Sequence, residues 1–177
     1  MRRMGQAIVI LVRLLVPLSI LRWPLAGGLA SMLADAIDVV LIEIIGLGGF
    51  DHYAALDKGL DMYYLSFEAI VSLHWEPLAR GTSVALFAYR AAGFAAFEGT
   101  QMRVLLLIFP NVFENFYLVY LAIRKIAPAW RLTPPRLALV LALVTIPKVG
   151  QEYLLHYAEA QPWDWIKRHV LRDTWRF

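Results

Sequence analysis

Long apolar runs recur along this chain, and ionisable residues sit inside most of them. A bilayer core about 30 Å thick is crossed by roughly 20 mostly apolar residues in a helix. Six runs approach that length: Gln6 to Leu21, Pro24 to Leu47, Tyr53 to Leu73, Thr82 to Phe97, Val104 to Ile123 and Leu137 to Tyr157. Short links marked by Gly, Pro or charge separate them, such as Arg22-Trp23-Pro24 and the proline-rich stretch Arg124 to Arg136. Apolar residues make up 60% of the chain and charged residues 18%, against about 45–50% and about 25% in soluble domains. The expected fold is therefore all-α: a polytopic transmembrane bundle of about six spans forming one domain over residues 1–177. The first run is short and has Arg13 at its middle, so it also fits a helix lying in the interface. Arg2 and Arg3 ahead of an apolar run fit a signal peptide as well. The tail, residues 158–177, carries Trp163, Trp165 and Trp175 with mixed charges, which suits an interfacial segment. The expected location is a membrane, specifically a bacterial cytoplasmic membrane.

Composition excludes other classes. With no cysteine, the chain has neither a disulfide framework nor a thiolate metal site. The formal charge of +3 is read as headgroup-facing, so no nucleic-acid partner is expected. Membrane lipids are the expected partners.

The buried charges define the candidate site. An unpaired ion at a helix centre costs at least about 2.5–3.5 kcal/mol on insertion scales, so these groups are expected to converge. Asp35 and Asp38 are three apart and share a helix face. Asp57 and Asp61 are four apart on the next helix, and Glu68 lies seven further along the same stripe. Carboxylates meeting in a low dielectric either take up protons or collect cations, and all-oxygen ligands suit a hard divalent ion such as Mg²⁺ or Mn²⁺. Asp35, Asp38 and Asp57 are the candidate metal ligands. A second set of intramembrane polar residues comprises Arg90, Glu98, Asn111, Glu114, Lys148, Glu152 and His156. Lys148 and Glu152, four apart, fit simple mutual neutralisation. The aromatics around Tyr64 and Tyr117 read as packing.

The run Asp35-Ala-Ile-Asp38, followed by Asp57-Lys-Gly-Leu-Asp61, resembles the acidic signature of the CDP-alcohol phosphatidyltransferases. That signature reads D-x-x-D-G-x-x-A-R-x8-G-x-x-x-D-x-x-x-D. Both inner spacings match, and Arg13-Leu-Leu-Val-Pro17 is similar to the family's N-terminal segment. The chain departs from it at Val39, at Ile42 and Glu43 in place of Ala-Arg, and at Tyr53 in place of Gly. The resemblance covers roughly residues 13–61. It implies that Asp35, Asp38 and Asp57 hold divalent cations and that Asp61 is the catalytic general base. The reaction it implies is phosphotransfer to lipid or alcohol head groups with release of CMP, by a homodimer. Arg90 or Lys148 would then replace the missing Arg.

Two other functions fit the same charges. A small ion- or proton-coupled transporter or channel explains acids on every run after the first. A non-catalytic membrane scaffold uses them to fix the bundle.

Overall fold

The computed structural model describes residues 2–45, 53–102 and 104–153. These are helical almost throughout: α1 (Arg2–Leu15), α2 (Pro24–Ile45), α3 (Tyr53–Ser72), α4 (Pro77–Thr100), α5 (Val104–Ile108), α6 (Val112–Ile126) and α7 (Pro134–Glu152). Prolines start α2, α4 and α7, where a missing N–H costs nothing and the fixed φ suits a helix. A 3-10 segment, Val16–Leu21, follows α1 directly, and Pro17 lies in its first turn. It folds the chain back against α2. Gly27 makes this approach possible, because a Cβ there would meet the backbone of Ile20 at 2.5 Å.

The all-helical expectation is met, but the bilayer is not. Among the described residues, no helix is both long enough and apolar enough to cross a membrane. The reasons are local. The first expected span is divided between α1, 14 residues long, and the 3-10 segment. The fifth is broken at Phe109–Asn111, leaving α5 with 5 residues and α6 with 15. Pro110 offers no N–H to continue α5. Asn111 then caps α6, its side chain accepting from the Glu114 amide N–H. The longer helices carry internal charge: Asp57, Lys58, Asp61 and Glu68 in α3, and Arg80, Arg90 and Glu98 in α4. This overturns the polytopic bundle and the bacterial cytoplasmic membrane as location. It also overturns the functions that required a bilayer: lipid head-group transfer, a transporter or channel, and a membrane scaffold. The tail 158–177 lies outside the described residues.

Two adjoining cores hold the helices. One joins Ile20 of the 3-10 segment to Tyr64 and Leu65 of α3 and to Phe113, Tyr117 and Leu118 of α6. The other joins Ala79, Phe116, Tyr120 and Val140 across α4, α6 and α7. Trp75, in the α3–α4 turn, bridges them, stacking on Tyr117 with ring centroids 5.3 Å apart and meeting Tyr120 at 4.3 Å. In the same turn, Glu76 accepts from the Tyr120 hydroxyl at 3.2 Å and from the Leu132 amide at 3.3 Å. This ties the α3–α4 hairpin to the link before α7.

An arginine-filled carboxylate site

Arg13 of α1 points into the helices and is 4% exposed. A buried guanidinium needs anionic partners, and α2 and α3 supply them. Its Nη2 donates to Asp35 at 2.5 Å and to Asp61 at 2.7 Å, and its Nη1 donates to Asp57 at 2.6 Å. The four-residue spacing of Asp57 and Asp61 sets both on one face of α3, so one planar fork reaches both and Asp35 besides. Lys58, between them in sequence, donates to Asp57 at 3.0 Å and lies 3.5 Å from Asp61.

The charges settle unevenly. Burial raises Asp35, and the neighbouring Asp61 raises it further against the pull of Arg13, to about 8. Burial would raise Asp57 too, but Lys58 and Arg13 outweigh it and hold its carboxyl below the usual range. At neutral pH Asp35 therefore keeps its proton. Lys58 holds its proton more tightly than usual: burial opposes its charge, but Asp61 and Asp57 more than compensate.

The donor set also suits a metal. Oxygens of Asp35, Asp57 and Asp61 all lie within 4.8 Å of one another. Oxygens bound to one hard cation at about 2.0–2.6 Å are separated by no more than roughly 5 Å. Three carboxylate oxygens at that spacing fit Mg²⁺ or Mn²⁺, provided the guanidinium withdraws. Asp38 lies in α2, but its side chain is outside the described residues.

The remaining expected residues separate into other environments. Glu68 is 0% exposed, and among the described residues neither of its carboxyl oxygens has a hydrogen-bond partner. Its Oε1 lies against Gly28 of α2. Burial, then the nearby Glu114, pushes its pKa well above the usual carboxylate range. Glu114 accepts from the Tyr64 hydroxyl at 2.8 Å and from the Asn111 amide at 3.0 Å. Burial raises its pKa, against the opposing Tyr64 hydrogen bond and the charge of Lys148. Arg90, expected as a substitute cation for the acidic site, instead donates to the Phe109 carbonyl at 3.0 Å. Glu98 is exposed near the end of α4. Lys148 donates to Gln151 at 3.2 Å. The Glu152 side chain and all of His156 lie outside the described residues.

Sequence reasoning found the carboxylates and missed the cation at their centre. Arg13 is the only cation inside the first apolar run, and that was its one signal. Lys58 and Tyr64 were also missed; both sit on the acidic face of α3. Neither a family model, nor a curated protein, nor a solved structure matches this chain.

Proposed function

We propose that this chain is a cation-binding protein. Its site is the carboxylate set Asp35, Asp57 and Asp61, and Arg13 is the resident counter-ion that Mg²⁺ or Mn²⁺ replaces. One observation carries the reading: three carboxylate oxygens from two helices gather within 4.8 Å of one another around a single buried guanidinium. That arrangement holds a cationic group in a place whose donors and spacing also suit a hard ion. When bound, such an ion supplies a positive centre for an anionic ligand, while the chain's own residues fix where it sits.

The resemblance of Asp35, Asp57 and Asp61 to the acidic signature of the CDP-alcohol phosphatidyltransferases supports the same assignment. Kinship with that motif adds one expectation: protein loaded with Mn²⁺ retains CDP, and metal-free protein does not.

Calorimetric titration with Mn²⁺ tests the reading. The wild-type protein is expected to bind weakly and saturably. Arg13→Gln removes the competitor and is expected to tighten binding about tenfold or more, and Asp57→Asn to abolish it. Absence of saturable Mn²⁺ binding in the Arg13→Gln protein overturns the proposal and leaves the cluster as a fixed clasp between helices.

A further inference from the structure

Arg13 and Asp35 turn toward each other from α1 and α2, and the outer faces of the same two helices are apolar and exposed. Ile8, Leu11, Val12 and Leu15 share one face of α1 at helical spacing, with Leu15 61% exposed. On α2, Leu29, Leu33 and Ile37 are four apart and form a stripe, with Leu33 55% exposed. Leu18, Leu21 and Trp23, also exposed, continue the apolar surface through the 3-10 segment and the turn into α2. Between the two helices runs a groove of about 320 Å³. Of its lining residues, Val9 is buried and Ala30 and Ala34 are half-buried, so these form the floor. Ile8, Val12, Leu33 and Ile37 are exposed and form the rims.

An apolar patch of a few hundred Å² or more marks an interaction surface. These side chains, each roughly half exposed, together offer on the order of 500 Å² of apolar area. A standard protein interface covers about 800 Å² of each partner, about 57% of it non-polar, and so draws on about 450 Å² of apolar area from each side. The outer side of α1 and α2 therefore supplies what one face of a stable dimer needs.

We propose that this surface is the interface of a two-fold dimer, with a second copy of the chain as its occupant. A two-fold interface brings one patch against itself, so the patch must carry both halves of the fit. This one carries a ridge and a groove side by side. Leu33 and Ile37, four apart and exposed, are the ridge, and the alanines at 30 and 34, also four apart, floor the groove next to it. Ridges and grooves in steps of four interdigitate when two helices cross. An apolar void of about 150 Å³ takes a six-carbon ring, so this groove has room for two four-carbon side chains from the other copy. No charged side chain lines the groove, so two identical surfaces meet there without like charges opposed. Neither Arg13 nor Asp35, Asp57 or Asp61 lines it, and the dimer stands or falls independently of cation binding.

Sedimentation equilibrium of the full chain tests the proposal. A species of twice the chain mass is expected, with a dissociation constant of about 10 μM or lower. Leu33→Lys sets a charge on the ridge and is expected to weaken the dimer about thirtyfold or more. Leu33 is exposed in the single chain, so the variant is expected to keep the wild-type helical circular dichroism. Leu139→Lys, at an equally exposed position on α7, is expected to leave the dimer intact. A monomer across the whole concentration range overturns the proposal, and so does a monomer that floats with phosphatidylcholine vesicles. A ladder of higher oligomers overturns the two-fold arrangement. Undiminished association of Leu33→Lys, or equal loss in Leu33→Lys and Leu139→Lys, overturns the assignment to this surface.

Discussion

Arg13 holds three carboxylates from two helices, and its removal leaves them facing one another beside Lys58. Breaking a buried ion pair from one side costs about 3–5 kcal/mol. Asp35 is partly exposed, its side chain retaining 34% of its accessible surface, so the lower end applies. Arg13→Gln is expected to lower the unfolding free energy by about 3 kcal/mol in urea denaturation without added metal. The pH dependence follows from Asp35. Its carboxyl is raised from 3.8 to about 8, so the folded state holds a proton that the unfolded chain releases earlier. The stability from that proton is complete below about pH 4 and is lost as pH rises toward 8. Glu68, raised in the same direction, adds to the fall. Asp57 acts oppositely: its lowered carboxyl stabilises at neutral pH and loses that contribution in acid. Urea midpoints are expected to fall between pH 5 and pH 9, Asp35→Asn to flatten the slope in part, and Glu68→Gln to remove more of it. A slope unchanged in both variants contradicts this assignment of protons. The aspartate spacings were legible in the sequence because a helix face is a local property. The Arg13 contacts were not, because they join residues 22 to 48 positions apart.

The helices themselves were largely readable. Pro24, Pro77 and Pro134 each open one, and the apolar periodicity fills them. The sequence was misleading where polar punctuation hid inside an apolar run. Val104 to Ile123 reads as one span, yet Pro110 and the Asn111 cap divide it, and the Phe109 carbonyl at that division accepts from Arg90 of α4. Two glycines contrast how helices use the residue. At Gly27 a Cβ meets the Ile20 backbone at 2.5 Å, and backbone cannot yield as a side-chain tip does. Gly27→Ala is expected to destabilise by more than about 2 kcal/mol. Among the described residues, nothing lies within 4 Å of such a Cβ at Gly59 of α3. Gly59→Ala is expected to stabilise by about 0.5–1 kcal/mol, through helix propensity alone. Thermal unfolding of the two variants in parallel checks the opposite signs.

At the scale of the molecule, the high apolar fraction pointed to a bilayer. Apolar content and the length of uninterrupted apolar helix are different quantities, and here charges and breaks divide the one without lowering the other. The aromatic hub at Trp75 links α3, α4, α6 and α7, whereas α1 meets α2 and α3 beside it, through Arg13, through the buried Val9 and through the Leu14 carbonyl, which accepts from the Tyr63 hydroxyl at 3.2 Å. Stability is therefore uneven along the chain. In the Arg13→Gln protein, amide hydrogen exchange is expected to quicken in α1 and to stay slow in α3 and α6. Uniform acceleration would show instead that the clasp supports the whole core.

A rival carried on the same polypeptide never diffuses away. The guanidinium faces its carboxylates at a local abundance fixed by the chain, in the millimolar range for flexible links, so under the proposed cation binding a dissolved ion would gain entry only above a threshold. An ion that entered would displace the guanidinium, and a returning guanidinium would expel the ion. On that proposal, ion occupancy and the seating of Arg13 are two readings of a single equilibrium.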